Sequence, residues 1–109
     1  MRLNFSTRTI NVEDCTLSGS IGEMENAVIA FFWVGDSPKL GGLSVTLPDR
    51  SGSQLLGDRD ELLSRMMGER IASQFQKIAL VSTNLPIGFE GREVLRLLNE
   101  LLSERIEES

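Results

Sequence analysis

The sequence predicts an α+β domain: a largely antiparallel five- to six-stranded sheet, two amphipathic helices on one face, and the other face packing on a partner subunit. Three observations carry this expectation. The chain opens with strand-like segments at hairpin spacing and closes with helical patterns. Its longest apolar run, residues 27–34 (Ala-Val-Ile-Ala-Phe-Phe-Trp-Val), is too short for a stable isolated helix and apolar on both parities, so it reads as a strand covered on both faces. Two helices can cover one face of such a sheet but not both, so the second face needs a cover from outside the chain.

At 109 residues the chain is expected to be a single domain spanning 1–109, large enough to bury a core without staples. The lone Cys15 excludes an intrachain disulfide and fits a reducing compartment. Residues 1–6 lack an apolar h-region, so no secretory signal is expected, and no segment reaches membrane-spanning length. The formal net charge is -5, and the basic residues are scattered. That argues against nucleic acid or an anionic membrane as partner and suits a protein that meets other proteins.

In chain order, Leu3, Phe5 and Thr7 alternate with polar residues, a half-exposed strand. Residues 11–14 read as a turn. Cys15, Leu17, Gly19 and Ile21 form the apolar parity of a second strand. Residues 22–26 read as a hairpin connection into the central run, and residues 35–42, with Pro38, as a loop. Leu43, Val45 and Leu47 alternate with Ser44 and Thr46, a fourth strand ended by Pro48. Residues 49–57 are rich in Ser and Gly and read as a mobile loop. Asp58 with Glu61 has the form of a capping box, predicting a helix to about Gln76. Leu63, Met67, Ile71 and Phe75 make its stripe, widened by Leu62 and Met66; Gly68 weakens it by roughly 1 kcal/mol relative to alanine. Residues 78–82 are apolar on both parities, another central strand. From Glu90 a second helix sets Val94, Leu95, Leu98, Leu101, Leu102 and Ile106 on one side.

Without histidine there is no Ser-His or Cys-His nucleophile pair and no histidine metal ligand. Residues 35–42 lack the Gly-Lys-Ser/Thr of a phosphate-binding loop, no Gly-x-Ser-x-Gly elbow occurs, and one cysteine cannot build a zinc site. Glu23 and Glu25 read as a solvated turn rather than a catalytic pair. Asp58, Asp60 and Glu61 read as helix-start complementation rather than a cation site. Cys15 reads as a small buried hydrophobe. No enzyme activity, metal or cofactor is expected.

The segment Phe32-Trp33-Val34-Gly35-Asp36-Ser37-Pro38-Lys39-Leu40 resembles the proteasome assembly chaperone 4 family, in which an apolar strand ends in Trp-Val-Gly before a Thr/Ser-Pro-x-Leu turn. Asn4-Phe5-Ser6 resembles that family's first strand. Leu55-Leu56-Gly57-Asp58 resembles the segment ahead of its first helix, and Val81-Ser82-Thr83-Asn84-Leu85 resembles a later strand end. The second strand here, residues 15–21, is poorer in bulky residues than the family's. The resemblance implies a non-enzymatic chaperone that pairs with a related subunit, proteasome assembly chaperone 3. The pair would bind alpha-type subunits of the 20S core particle, assist alpha-ring assembly and leave before maturation. Cytoplasmic and nuclear localisation follows from the same resemblance, and the isolated chain could pair with itself as a homodimer.

The partner-binding residues expected on the dimer face are Phe31, Trp33, Leu43 and Val45. The sequence does not say which face the helices take, so the opposite parity stays open. On this assignment Trp33→Ala is expected to abolish pairing and leave a soluble chain. Two other readings stand beside the chaperone: a dimeric scaffold or trafficking adaptor of similar fold with no proteasome subunits among its partners, and an enzyme using only carboxylates and serines.

Overall fold

The computed structural model describes residues 3–57 and 60–108, with side chains as far as 104. The element order is β1 (Phe5–Val12), β2 (Cys15–Glu23), β3 (Ala27–Val34), β4 (Gly42–Thr46), β5 (Gly52–Leu56), α1 (Glu61–Phe75), β6 (Ile78–Asn84) and α2 (Gly91–Glu108). The strands form one six-stranded sheet in the order β1-β2-β3-β6-β4-β5. Only β3 and β6 pair in parallel; every other ladder is antiparallel. The α+β class holds, and both doubly apolar runs lie in the middle of the sheet, where they were expected.

Both helices cover the same face. α2 lies over β1 and β2, α1 over β4 and β6. The core between the layers takes Leu17 and Ile21 from β2, Val28, Ala30 and Phe32 from β3, and Ala79 and Val81 from β6. The helices supply Met67, Ile71 and Ala72, then Val94, Leu97, Leu98, Leu101 and Leu102.

Two expectations are corrected. Residues 49–57 hold a strand, β5, rather than a loop; the ladder to β4 slips between Leu43 and Ser44, which leaves Leu55 as the extra residue of a bulge. Leu62 and Met66 do not widen the α1 stripe: they are 70% and 46% exposed, because Met67, Gly68, Ile71 and Ala72 take the sheet-facing side. The expected cap, Asp58, lies outside the described residues. Asp60 stands at the N-cap position in a left-handed conformation without a side-chain capping bond.

Two local devices fix the hairpins around the site. Between β4 and β5, Leu47 N–H donates to Ser51 O and Arg50 N–H to Leu47 O, both at 2.8 Å. Asp49 Oδ1 accepts from Ser51 N–H at 2.9 Å and from Ser51 Oγ at 2.6 Å. These bonds favour the ionised carboxyl and hold Asp49 below its ordinary value. A depressed folded-state value means the contribution is full above the unfolded pKa and is lost as pH falls through the folded one. Between β2 and β3, Lys77 Nζ donates to Glu23 Oε2 at 2.6 Å and to Met24 O at 2.8 Å, tying the start of β6 to the turn. Lys77→Ala should cost about 1 kcal/mol, since the pair is only partly buried. In a thermal melt that is a fall of roughly 4–8 °C.

Candidate partner-binding face

Cross-strand partners share a face, so the pairing register sorts every strand residue. The face away from the helices is built of three full rows. One runs Phe5, Gly22, Ile29, Leu80, Val45; the next Thr7, Ser20, Phe31, Ser82, Leu43; the third Thr9, Ser18, Trp33, Asn84. Phe31, Trp33, Leu43 and Val45 thus all lie on the open face. Their neighbours Phe32, Ser44 and Thr46 point to the helices and are buried.

This face carries no Asp, Glu, Lys or Arg in any of the three rows, in a chain that is 25% charged. Its polar half is self-satisfied: Thr7 Oγ1 and Ser20 Oγ lie 2.9 Å apart, Thr9 Oγ1 and Ser18 Oγ 2.8 Å apart. Its apolar half, on β3, β6 and β4, holds Ile29, Phe31, Leu80, Leu43 and Val45, each half-buried in the chain alone. Phe5 leans on Phe31 with ring centroids 6.3 Å apart at a tilted 47°. Together with Trp33, Pro38 and Leu40 these rings line a groove of about 460 Å³. Phe5 and Leu40 remain 44% and 59% exposed at its margins, and Leu56, beside Leu43 on the far edge strand, is 50% exposed.

Trp33 differs from the other three. It is only 7% exposed in the single chain, and it shares the groove with Pro38, Lys39 and Leu40 of the β3–β4 loop. Trp33→Ala is therefore expected to cost stability as well as any contact with a partner.

The residues weighed for chemistry are dispersed. Glu23 is paired with Lys77, and Glu25 is exposed at the β2–β3 turn. Asp60 and Glu61 open α1, and Cys15 is half-buried on the helix side at the start of β2. Among the described residues no three histidine, cysteine or acidic side chains converge as a metal site. The feature that stands out is the sheet face: extensive, uncharged, half apolar, and uncovered.

A solved structure shares this architecture. It is a chain of a crystal structure described as a novel chaperone complex for yeast 20S proteasome assembly. The two match over 98% of this chain and 94% of that one, with a TM-score of 0.64 and 16% sequence identity. At that identity the likeness establishes the fold, end to end. No protein-family model and no curated protein sequence matches the chain.

Sequence reasoning named four residues of the face and missed Phe5, Ile29, Leu40 and Leu80 as parts of the same patch. The signal for Ile29 and Leu80 lay in the double apolar parity of both central strands. Phe5 and Leu40 become neighbours of Phe31 only through the β1–β2–β3 meander and the β3–β4 loop.

Proposed function

We propose that this chain is a non-enzymatic chaperone that assists assembly of the 20S proteasome alpha ring. It acts as a dimer with a related small chaperone, of the proteasome assembly chaperone 3 kind. The pair binds alpha-type subunits and dissociates before the particle matures, in cytoplasm and nucleus. The single observation that carries the reading is the end-to-end fold correspondence with a chain of a proteasome assembly chaperone complex. It coincides with the four family-like sequence segments, whose described residues fall at the first strand, the β3–β4 loop, the end of β5 and the end of β6.

The open face supports the pairing half of the reading. Strands about 4.8 Å apart make the sheet roughly 24 Å wide, so stacking a partner sheet on it buries on the order of 500 Å² per subunit. That is below the roughly 800 Å² per partner of a standard stable interface and in the range of weak or transient pairs. Sheet-on-sheet packing favours apolar side chains and no unpaired charge between the layers; the three rows of this face carry no charge, its β3–β6–β4 half is apolar, and the hydroxyls of its other half pair with each other.

Affinity recovery of the tagged chain from its source cells, with bound proteins identified by mass, tests the reading. The expected result is a second small chaperone together with free alpha-type subunits and little mature proteasome. Recovery with unrelated partners, and no proteasome subunit, would replace it with the scaffold or trafficking-adaptor reading.

A further inference from the structure

The sheet ends in two edge strands, β1 and β5, and they differ in how they are guarded. β5 is five residues long and carries the bulge at Leu55, and both features hinder the addition of a further strand. β1 is eight residues long and pairs with β2 at every position without a slip. It holds no Gly, Pro or Lys, and Thr7, Thr9, Ile10 and Val12 are β-branched. Its one charge, Arg8, lies on the helix side, where Glu100 meets it at 3.4 Å and Glu104 meets the same guanidinium.

The register shows which backbone groups this edge offers. Gly35 N–H donates to Thr16 O at 3.1 Å, so Thr16 bonds toward β3. Bonding direction alternates along an antiparallel strand, so Cys15, Leu17, Gly19 and Ile21 bond the other way, toward β1. Opposite them stand Val12, Ile10, Arg8 and Ser6. Phe5, Thr7, Thr9 and Asn11 therefore turn their N–H and C=O groups outward. All four residues are exposed, and these groups have no partner among the described residues.

We infer that β1 pairs antiparallel with β1 of a second copy of this chain, about a two-fold axis at Thr9. A two-fold axis normal to the sheet sets a strand antiparallel to itself and keeps outward groups opposite outward groups. With Thr9 facing Thr9 of the copy, Thr7 faces Asn11 and Arg8 faces Ile10, and roughly six main-chain hydrogen bonds form. Centring on Arg8 would set the two guanidiniums opposite each other, and centring on Thr7 would pair fewer strand residues. A copy brings this geometry already formed, whereas an extended segment of another protein has to be ordered first. The same axis keeps both open faces on one side. Together they offer about 1,000 Å² of uncharged surface, above the roughly 800 Å² per partner that one face alone does not reach. This last point rests on the chaperone-pairing reading; the edge pairing itself does not.

The test is the mass of the purified full chain in solution, followed by sedimentation over a concentration series. It compares wild type with Thr9→Pro, Thr9→Lys and Leu43→Glu. Thr9 N–H points away from β2, so proline there leaves the β1–β2 ladder bonded, and the melting temperature should stay within a few degrees of wild type. Thr9→Lys keeps the N–H and sets like charges face to face at the axis. Wild type should form a dimer, both Thr9 variants should weaken it about tenfold or more, and Leu43→Glu should leave it unchanged. In a Cys15→Ser background, Thr9→Cys should crosslink to its copy on mild oxidation, because facing Cα atoms lie about 5.5 Å apart, and Thr7→Cys should not. A chain monomeric at every concentration would overturn the inference. So would a dimer lost in Leu43→Glu and kept in both Thr9 variants, which would assign self-pairing to the open face. A monomeric chain that loses its partner chaperone on Thr9→Pro would give the edge to that partner and overturn it too. Wild-type recovery without proteasome subunits would sink the chaperone reading and leave the edge pairing standing.

Discussion

Replacing Leu43 or Val45 with glutamate is expected to abolish pairing with the partner chaperone while leaving the chain folded. Both residues are half-exposed on the open face, with Ser82 and Phe31 next to Leu43 in its row and Leu80 and Ile29 next to Val45 in its row. In the single chain the new carboxylate can turn to water. Across two stacked sheets it would be taken out of water on a face whose three rows carry no cation. An unpaired buried charge costs several kcal/mol, and about 3 kcal/mol is already more than a hundredfold in affinity. The measurement is recovery of the partner chaperone beside the melting temperature of the variant alone. Lost recovery with a melt within a few degrees of wild type is the expected result. Lost recovery with an unfolded chain would move these residues into the core of the monomer.

Gly68→Ala is the second large effect, and its sign opposes helix propensity. Alanine in a helix interior is worth roughly 1 kcal/mol over glycine, so propensity alone makes this change stabilising. In the structure Gly68 lies where α1 crosses β4. A Cβ there would collide with Thr46 Oγ1 and stand 3.1 Å from Thr46 Cβ. Rotating the threonine can move the hydroxyl but not its Cβ, which stays 3.1 Å from the new methyl. α1 would have to lift from the sheet, carrying the buried Met67, Ile71 and Ala72 with it. Overpacking of this kind costs about 1–3 kcal/mol, which in a domain this size lowers the melting temperature by roughly 5–15 °C. Thr46→Ala in the Gly68→Ala background should recover part of the loss, since the colliding hydroxyl is gone while the Cβ contact stays. A melt raised by Gly68→Ala would mean that α1 sits farther from the sheet than described.

The same close approach explains what the sequence concealed about the site. β4 alternates Leu43 and Val45 with Ser44 and Thr46, and ordinary patterning turns the apolar set toward the helices. The reverse occurs. With Gly68 and the buried Ser64 on its inner side, α1 comes so close that only small side chains fit beneath it. Ser44 and Thr46 take that space, and Leu43 and Val45 are left facing out. Ser44 Oγ, Ser64 Oγ and Thr83 Oγ1 are buried there without hydrogen-bond partners among the described residues, which makes the α1 side the less satisfied half of the core.

Elsewhere the fold was legible where periodicity was strong. The run at residues 27–34 is β3 to the residue, and Val94, Leu95, Leu98, Leu101 and Leu102 of the α2 stripe lie in or against the core with Leu97 added, while the side chain of Ile106 lies outside the described residues. β5 was not legible. An edge strand with a bulge at Leu55 loses the period of two, and Gly-Ser-Gln carries no β preference of its own. The neighbourhood of β3 and β6 was not legible either, because pairing across α1 leaves no mark in local sequence.

The central claim is that a related chaperone covers the open sheet face. A photo-crosslinking phenylalanine analogue placed at Phe31 of the tagged chain, irradiated in the source cells, tests it most directly. The expected product joins the chain to a second small chaperone of the same fold, and the same analogue at exposed Arg70 on the helix layer should not give it. Recovery of that chaperone without any crosslink from position 31 would show that the pair forms through another surface and would contradict the claim.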